Sequence, residues 1–176
     1  MNGQGDSASD NVKYLRQGRA LVEQLSPELF ISTSELCPGG SVGAHFRHCL
    51  DFYNSFLDGI DAGKIDYNDR KRDPELETVP RRALDAFAKV VERLEGLADL
   101  DASGALLVRG DGSARGEDDG SKSTVGRELQ FLHSHTIHHF ALIGFLLRAG
   151  GLDVDAAFGV APSTLQHWED SAARAS

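Results

Sequence analysis

Apolar residues recur at intervals of three and four in four long stretches of the chain. This is the pattern of helices that bury one face. The first stretch opens at Asp10, a candidate N-cap, and carries Tyr14, Leu15, Leu21, Val22 and Leu25 before Ser26-Pro27 ends it. Gly39-Gly40-Ser41 marks the start of the second, with Ser41 a good N-cap. Residues 42–60 then hold no proline and place Ala44, His45, His48, Phe52, Ser55 and Phe56 at helical intervals. A third helix is expected over residues 80–98, with Thr78 where an N-cap would sit, Pro80 at an early helical position, and Leu84, Phe87, Val90, Val91 and Leu94 inward. The fourth is the most regular. It begins after Ser123 and Thr124 and stops at Gly150-Gly151, and Glu128, Leu132, His135, His139, Leu142 and Leu146 trace one stripe along it.

The remaining segments read differently. Residues 1–9 are small and polar and predict a disordered tail, which leaves 10–176 as a single domain. Residues 61–77 are rich in charge and read as a solvated connection. Within 99–123, the short apolar run Ala105-Leu106-Leu107-Val108 precedes Gly110-Asp111-Gly112, which suits either a small β-hairpin or a loop. Residues 116–122 are acidic. After residue 152 an extended segment leads to a short C-terminal helix opening at Ser163. The pattern predicts an all-α fold, a four-helix up-down bundle with a small hairpin at most.

Composition narrows the function. The 176 residues are 40% hydrophobic, enough for one sizeable core, and the formal net charge is −9. That balance lacks the positive field that draws a protein to nucleic acid or to anionic membranes. The longest apolar run, residues 140–147, is far short of the roughly 20 residues that span a bilayer. The polar N-terminus carries no signal-peptide core. Two cysteines, Cys37 and Cys49, are too few for a disulfide framework, so a reducing, cytoplasmic setting is expected.

Seven histidines change the picture, because six fall in two tight clusters. His135 and His139 are four residues apart on the apolar stripe, which sets their side chains on one helical face about 6 Å apart. Such a pair can converge on one ion through bonds of about 2.0–2.1 Å, or it can hydrogen-bond to its neighbours in a core. A third ligand would come from the second helix, where His45 and His48 lie on nearly the same side. Spacing does not choose between them. Three protein ligands leave coordination positions open, the pattern of a catalytic site. Asp51 and Glu128 are the carboxylates nearest in sequence to these histidines and the candidates for a catalytic role, either supporting the ligands or as a fourth ligand, while each also suits a solvated or capping charge and Glu128 a helix first turn. Arg47, Tyr53 and Arg127 are candidates for orienting a substrate, and His138 flanks the stripe. His133 and His167 read as surface or structural residues.

Other chemistries find no support. Di-iron bundles need two Glu-x-x-His motifs, and none occurs. His-Glu-x-x-His and a phosphate-cradling glycine loop are absent as well.

The stretch Ser41-Val-Gly-Ala-His45-Phe-Arg47-His48-Cys-Leu-Asp51-Phe-Tyr53 resembles the second helix of the DinB/YfiT-like metalloenzymes. Gly126-Arg127-Glu128-Leu-Gln-Phe-Leu-His-Ser-His135-Thr-Ile-His138-His139 resembles their histidine helix. The resemblance implies a four-helix bundle, often dimeric, that holds Zn²⁺, Ni²⁺ or a similar divalent ion through three histidines. In that family the upstream ligand lies about two turns past the helix N-cap, which is His48 here, and the downstream pair matches His135 and His139. It implies thiol-dependent S-transferases, a maleylpyruvate isomerase, metal-dependent hydrolases, or the metal-binding domain of sulfoxide synthases. The last would need a second catalytic domain.

These observations set the expectation of a metal-dependent enzyme that activates water or a small thiol toward a small-molecule substrate. Zinc or nickel is the expected ion, with iron or manganese as further options. The alternative is a non-catalytic metal-binding stress-response dimer in which the ion braces the bundle. A homodimer is expected in either case.

Overall fold

Ser41 and Thr124 carry out the capping that the sequence assigns to them. Ser41 Oγ accepts from the amide of Ala44 at 3.0 Å, and Thr124 Oγ1 accepts from the amide of Arg127 at 3.3 Å. Each satisfies an amide that a helix start would otherwise leave without a partner. In the computed structural model, which describes residues 7–34, 40–97, 100–110 and 120–175, these caps open the two helices that bear the histidine clusters. The elements run α1 (Ser7–Val22), α2 (Pro27–Phe30), α3 (Val42–Gly59), β1 (Lys64–Asp66), α4 (Glu75–Thr78), α5 (Pro80–Glu95), β2 (Ala105–Arg109), β3 (Ser121–Thr124), α6 (Val125–Ala149) and α7 (Pro162–Ala175).

The protein is mostly helical. Helix α1 packs on α5 and α6, and α3 packs on the same two. The core between them is aromatic at its centre. Phe46 of α3 meets Phe87 of α5 edge-on at 5.5 Å and Phe140 of α6 edge-on at 5.6 Å. Such pairs contribute about 0.5–1.5 kcal/mol each beyond the area they bury. Gly18 lets α1 approach this cluster, since a Cβ there would lie 2.4 Å from Phe140 Cζ. No helix among the described residues is long and apolar enough to cross a membrane.

The helix-bearing expectations hold for α3, α5 and α6, with differences at the ends. Helix α1 begins at Ser7, so residues 7–9 are helical and Ala8 is buried; residues 1–6 lie outside the described residues. Val79, not Thr78, is the N-cap of α5, without a side-chain cap bond, and Thr78 Oγ1 instead donates to the carbonyl of Pro74. Helix α5 ends at Glu95, and the expected end at residue 98 falls outside the described residues, as do Cys37 and Gly39. Helix α7 opens at Pro162 and is exposed along nearly its whole length.

The run 105–108 does form a strand, and it pairs antiparallel with β3, with Leu107 opposite Lys122. The turn expected at 110–112 lies partly outside the described residues, as does most of the acidic 116–122 stretch. The larger correction concerns residues 61–77. They are not merely a solvated link. β1 adds to the sheet parallel to β2, with Ile65 opposite Val108, and Ile65, Tyr67, Arg70 and Leu76 are all buried. Apolar and aromatic side chains at 65, 67 and 76 supply the burial that holds this charged segment against α3.

Candidate metal centre

The imidazoles of His48, His135 and His139 meet between α3 and α6. Each offers one nitrogen, and the three nitrogens lie within 4.8 Å of one another. The ring centroids form a near-regular triangle: 4.9 Å between His48 and His135, and 4.6 Å from each to His139. His48 Nε2 is 3.1 Å from His135 Nε2. Two nitrogens that share one ion at about 2.0–2.1 Å sit roughly 2.8–3.4 Å apart for ligand angles of about 90–110°. The His48–His135 pair therefore stands at the spacing of two nitrogens on one divalent ion, and the His139 donor lies within 4.8 Å of both. Regular helix geometry explains the convergence: His135 and His139 are one turn apart on α6, and α3 brings His48 across from them.

His45 is not a member of this group. It is 5% exposed, and its Nδ1 lies 3.0 Å from Nδ1 of His139. Spacing leaves His45 and His48 as alternatives; the structure places His48 with the α6 pair and His45 behind His139. Burial, and then the neighbouring His135, His48, His45 and His138, hold His139 far below an ordinary imidazole, at about 2. Burial likewise lowers His45. A neutral imidazole with a free lone pair is the form that ligates metal.

An aromatic wall backs the imidazoles. Phe52, one turn past His48, has its ring 4.3 Å from that of His135 and edge-on to His48 at 4.9 Å. Phe131, one turn before His135, stacks on it at 5.6 Å. Tyr67 stacks on Phe52 at 5.0 Å, and the Arg70 guanidinium sits 4.2 Å over the Phe52 ring. Phe131 could have been found by the same i, i+4 spacing as the histidines. Tyr67 and Arg70 carry no local signal, because they arrive on the segment that reads as a solvated link.

The two candidate carboxylates are not brought to the donors. Asp51 Oδ2 is paired at 2.6 Å with Arg47, whose Nε also donates to Glu77 at 2.7 Å. Burial raises the Asp51 carboxyl above its usual range, against the pull of Arg47. Glu128 is buried and accepts from Tyr67 at 3.0 Å and from Ser123. Its contact with the site is indirect, through the tyrosine that stacks on Phe52. The substrate-orienting candidates divide too. Arg47 is committed to Asp51 and Glu77. Tyr53 is wholly buried, its hydroxyl donating to Asn11 Oδ1 and lying 3.0 Å from Thr136 Oγ1. Arg127 is exposed in the first turn of α6. His138 is exposed, with its ring 5.1 Å from that of His139. His133, expected at the surface, is half-buried against Tyr14, edge-on at 4.8 Å, while His167 is exposed on α7.

Fold and donors together define a helical protein with three imidazoles close enough together to bind one metal ion. A family model described as the DinB superfamily matches residues 15–143, which span all three histidines. The chain belongs to the DinB superfamily. It is also 50% identical over 46 residues to FK506-binding protein 5 of Rhizopus delemar. That likeness is local, covering 26% of this chain and 12% of the relative, so the chain matches only a small part of that protein's length.

Proposed function

We propose that the protein is a divalent-metal-dependent enzyme of the hydrolase or thiol S-transferase type, built on an up-down arrangement of the four long helices. The observation that carries this reading is the set of three imidazole nitrogens within 4.8 Å. His48, His135 and His139 would hold one ion, and all-imidazole sites suit zinc, nickel and iron, whereas manganese, a further option, favours oxygen ligands. An ion so held supplies Lewis acidity, which lets water or a thiol give up its proton near neutral pH.

The chain's own residues do the rest. Phe52, Phe131 and Tyr67 exclude water from one side of the histidines and limit their rotamers. Glu128 fixes Tyr67, and the Arg47–Asp51 pair fixes the first turns of α3. His138 and Arg127, exposed on α6, are the groups we assign to orient a small substrate or a low-molecular-weight thiol. A homodimer is part of the reading, supported by exposed Phe145 on α6 and Trp168 on α7.

A second reading, a non-catalytic ion that braces α3 against α6, is favoured by one observation. No carboxylate that could act as a catalytic acid or base joins the three histidines among the described residues. A screen of metal-loaded protein for ester hydrolysis and for transfer of small thiols to electrophiles separates the two. Turnover that chelation abolishes and metal restores is expected. Metal that raises thermal stability with no turnover would favour the bracing role.

A further inference from the structure

We propose that His45 is a positioning residue: its Nδ1 accepts the Nδ1–H of His139 and so fixes the tautomer that leaves the His139 Nε2 lone pair for an ion. This deepens the metal-centre reading and rests on it. The geometry is a 3.0 Å contact between two Nδ1 atoms, with His45 5% exposed and the two ring centroids 5.2 Å apart.

A neutral imidazole carries one N–H and one lone pair, on different nitrogens. A close Nδ1–Nδ1 contact therefore admits two arrangements. If His45 donates, the hydrogen of His139 sits on Nε2 and no lone pair is left for the shared donor space. If His139 donates, its Nε2 lone pair is free. Only the second arrangement agrees with a ligating His139. Ligating histidines ordinarily give their other N–H to a carboxylate, a backbone carbonyl or a water. Here an imidazole takes that place.

His45 does not serve as a fourth ligand in this arrangement. The Nδ1 lone pair that accepts from His139 cannot also bind an ion, and His45 stands outside the group of three converging nitrogens. One helix thus supplies both a ligand, His48, and the group that orients a ligand of the opposite helix. The two are three residues apart on α3, so the first turns of that helix set the register of the whole site.

Two readouts test the assignment. In metal-free protein labelled with ¹⁵N-histidine, His139 is expected as the Nδ1–H tautomer, and His45→Ala should shift it toward Nε2–H. In a Co²⁺ titration, His45→Ala should weaken binding by roughly 10–100-fold at an unchanged stoichiometry of one ion. His45→Gln, whose amide oxygen can accept the same N–H, should recover most of the loss. An Nε2–H tautomer in the parent protein, wild-type affinity in His45→Ala, or a glutamine variant as weak as alanine would each overturn the proposal. Loss of one imidazole from the Co²⁺ coordination in His45→Ala would overturn it as well, by making His45 a ligand. Should His45→Ala fail to fold, the parent tautomer and His45→Gln still decide. Absence of Co²⁺ binding by the parent protein would instead sink the metal reading and leave the tautomer result standing.

Discussion

Replacing Tyr53 by phenylalanine removes one oxygen atom from a wholly buried place between α1, α3 and α6. That oxygen joins three helices. The hydroxyl donates to Asn11 Oδ1 on α1 and lies 3.0 Å from Thr136 Oγ1 on α6, while Asn11 Nδ2 donates to the Leu129 carbonyl at 3.0 Å. Asn11 is 0% exposed and Thr136 1%, so water cannot take over either contact. Removing a hydrogen-bond partner from a buried neutral polar group costs about 1–3 kcal/mol, and Asn11 and Thr136 each lose one such contact. Partial relaxation and the easier burial of phenylalanine offset some of that. The expected loss is about 2–3 kcal/mol, or roughly 4–12 °C in Tm for a chain of this size. Urea denaturation measures it as a lower midpoint at an unchanged slope. The hydroxyl touches none of the three histidines, so metal affinity should stay within about twofold of the parent. A stability loss below about 0.5 kcal/mol would refute the network argument. A tenfold drop in metal affinity or turnover at unchanged stability would return Tyr53 to the substrate-orienting role that its sequence position suggests.

Arg47→Ala should cost about 3–5 kcal/mol, because it strands the Asp51 carboxylate, whose side chain is 1% exposed. Arg47→Ala combined with Asp51→Ala should cost less than the two single losses together; strict additivity in a denaturation cycle would refute the pairing. Acid should destabilise the metal-free protein. His139 stays neutral in the folded state down to about 2, held there first by burial, whereas an unfolded histidine binds a proton near 6.5. The unfolded chain therefore carries the extra proton between those values, and stability is full above about pH 6.5 and falls below it. The slope has a ceiling of about 1.4 kcal/mol per pH unit, reduced by solvent screening at a half-buried ring. Buried His45 acts in the same direction. Urea midpoints of metal-free protein that stay level or rise from pH 7 to pH 5 would contradict this.

Helix positions were legible because their signals are local. Ser41 and Thr124 cap, and Gly150 ends α6 with its amide on the Leu146 carbonyl. The convergence of His135 and His139 follows from one turn of helix. The choice of His48 over His45 did not follow from spacing, since both face α6; it depends on how far α3 slides along α6, which tertiary packing sets. The resemblance to a family supplied it, and the structure agrees. The segment 61–77 misled because its charges outnumber its apolar residues. Ile65, Tyr67 and Leu76 are too few and too unevenly spaced to show a period, yet each is buried. The partners of Asp51 and Glu128 were equally hidden. Glu77 and Tyr67 are distant in sequence and reach α3 and α6 through the fold.

The central claim is that His48, His135 and His139 together hold one divalent ion. Elemental analysis of protein purified without a histidine tag, after dialysis against trace Zn²⁺ or Ni²⁺, tests it most directly. One ion per chain is predicted for the parent, and none for the variant with His48→Ala, His135→Ala and His139→Ala, verified as folded by circular dichroism. A folded triple variant that retains one ion per chain would contradict the account.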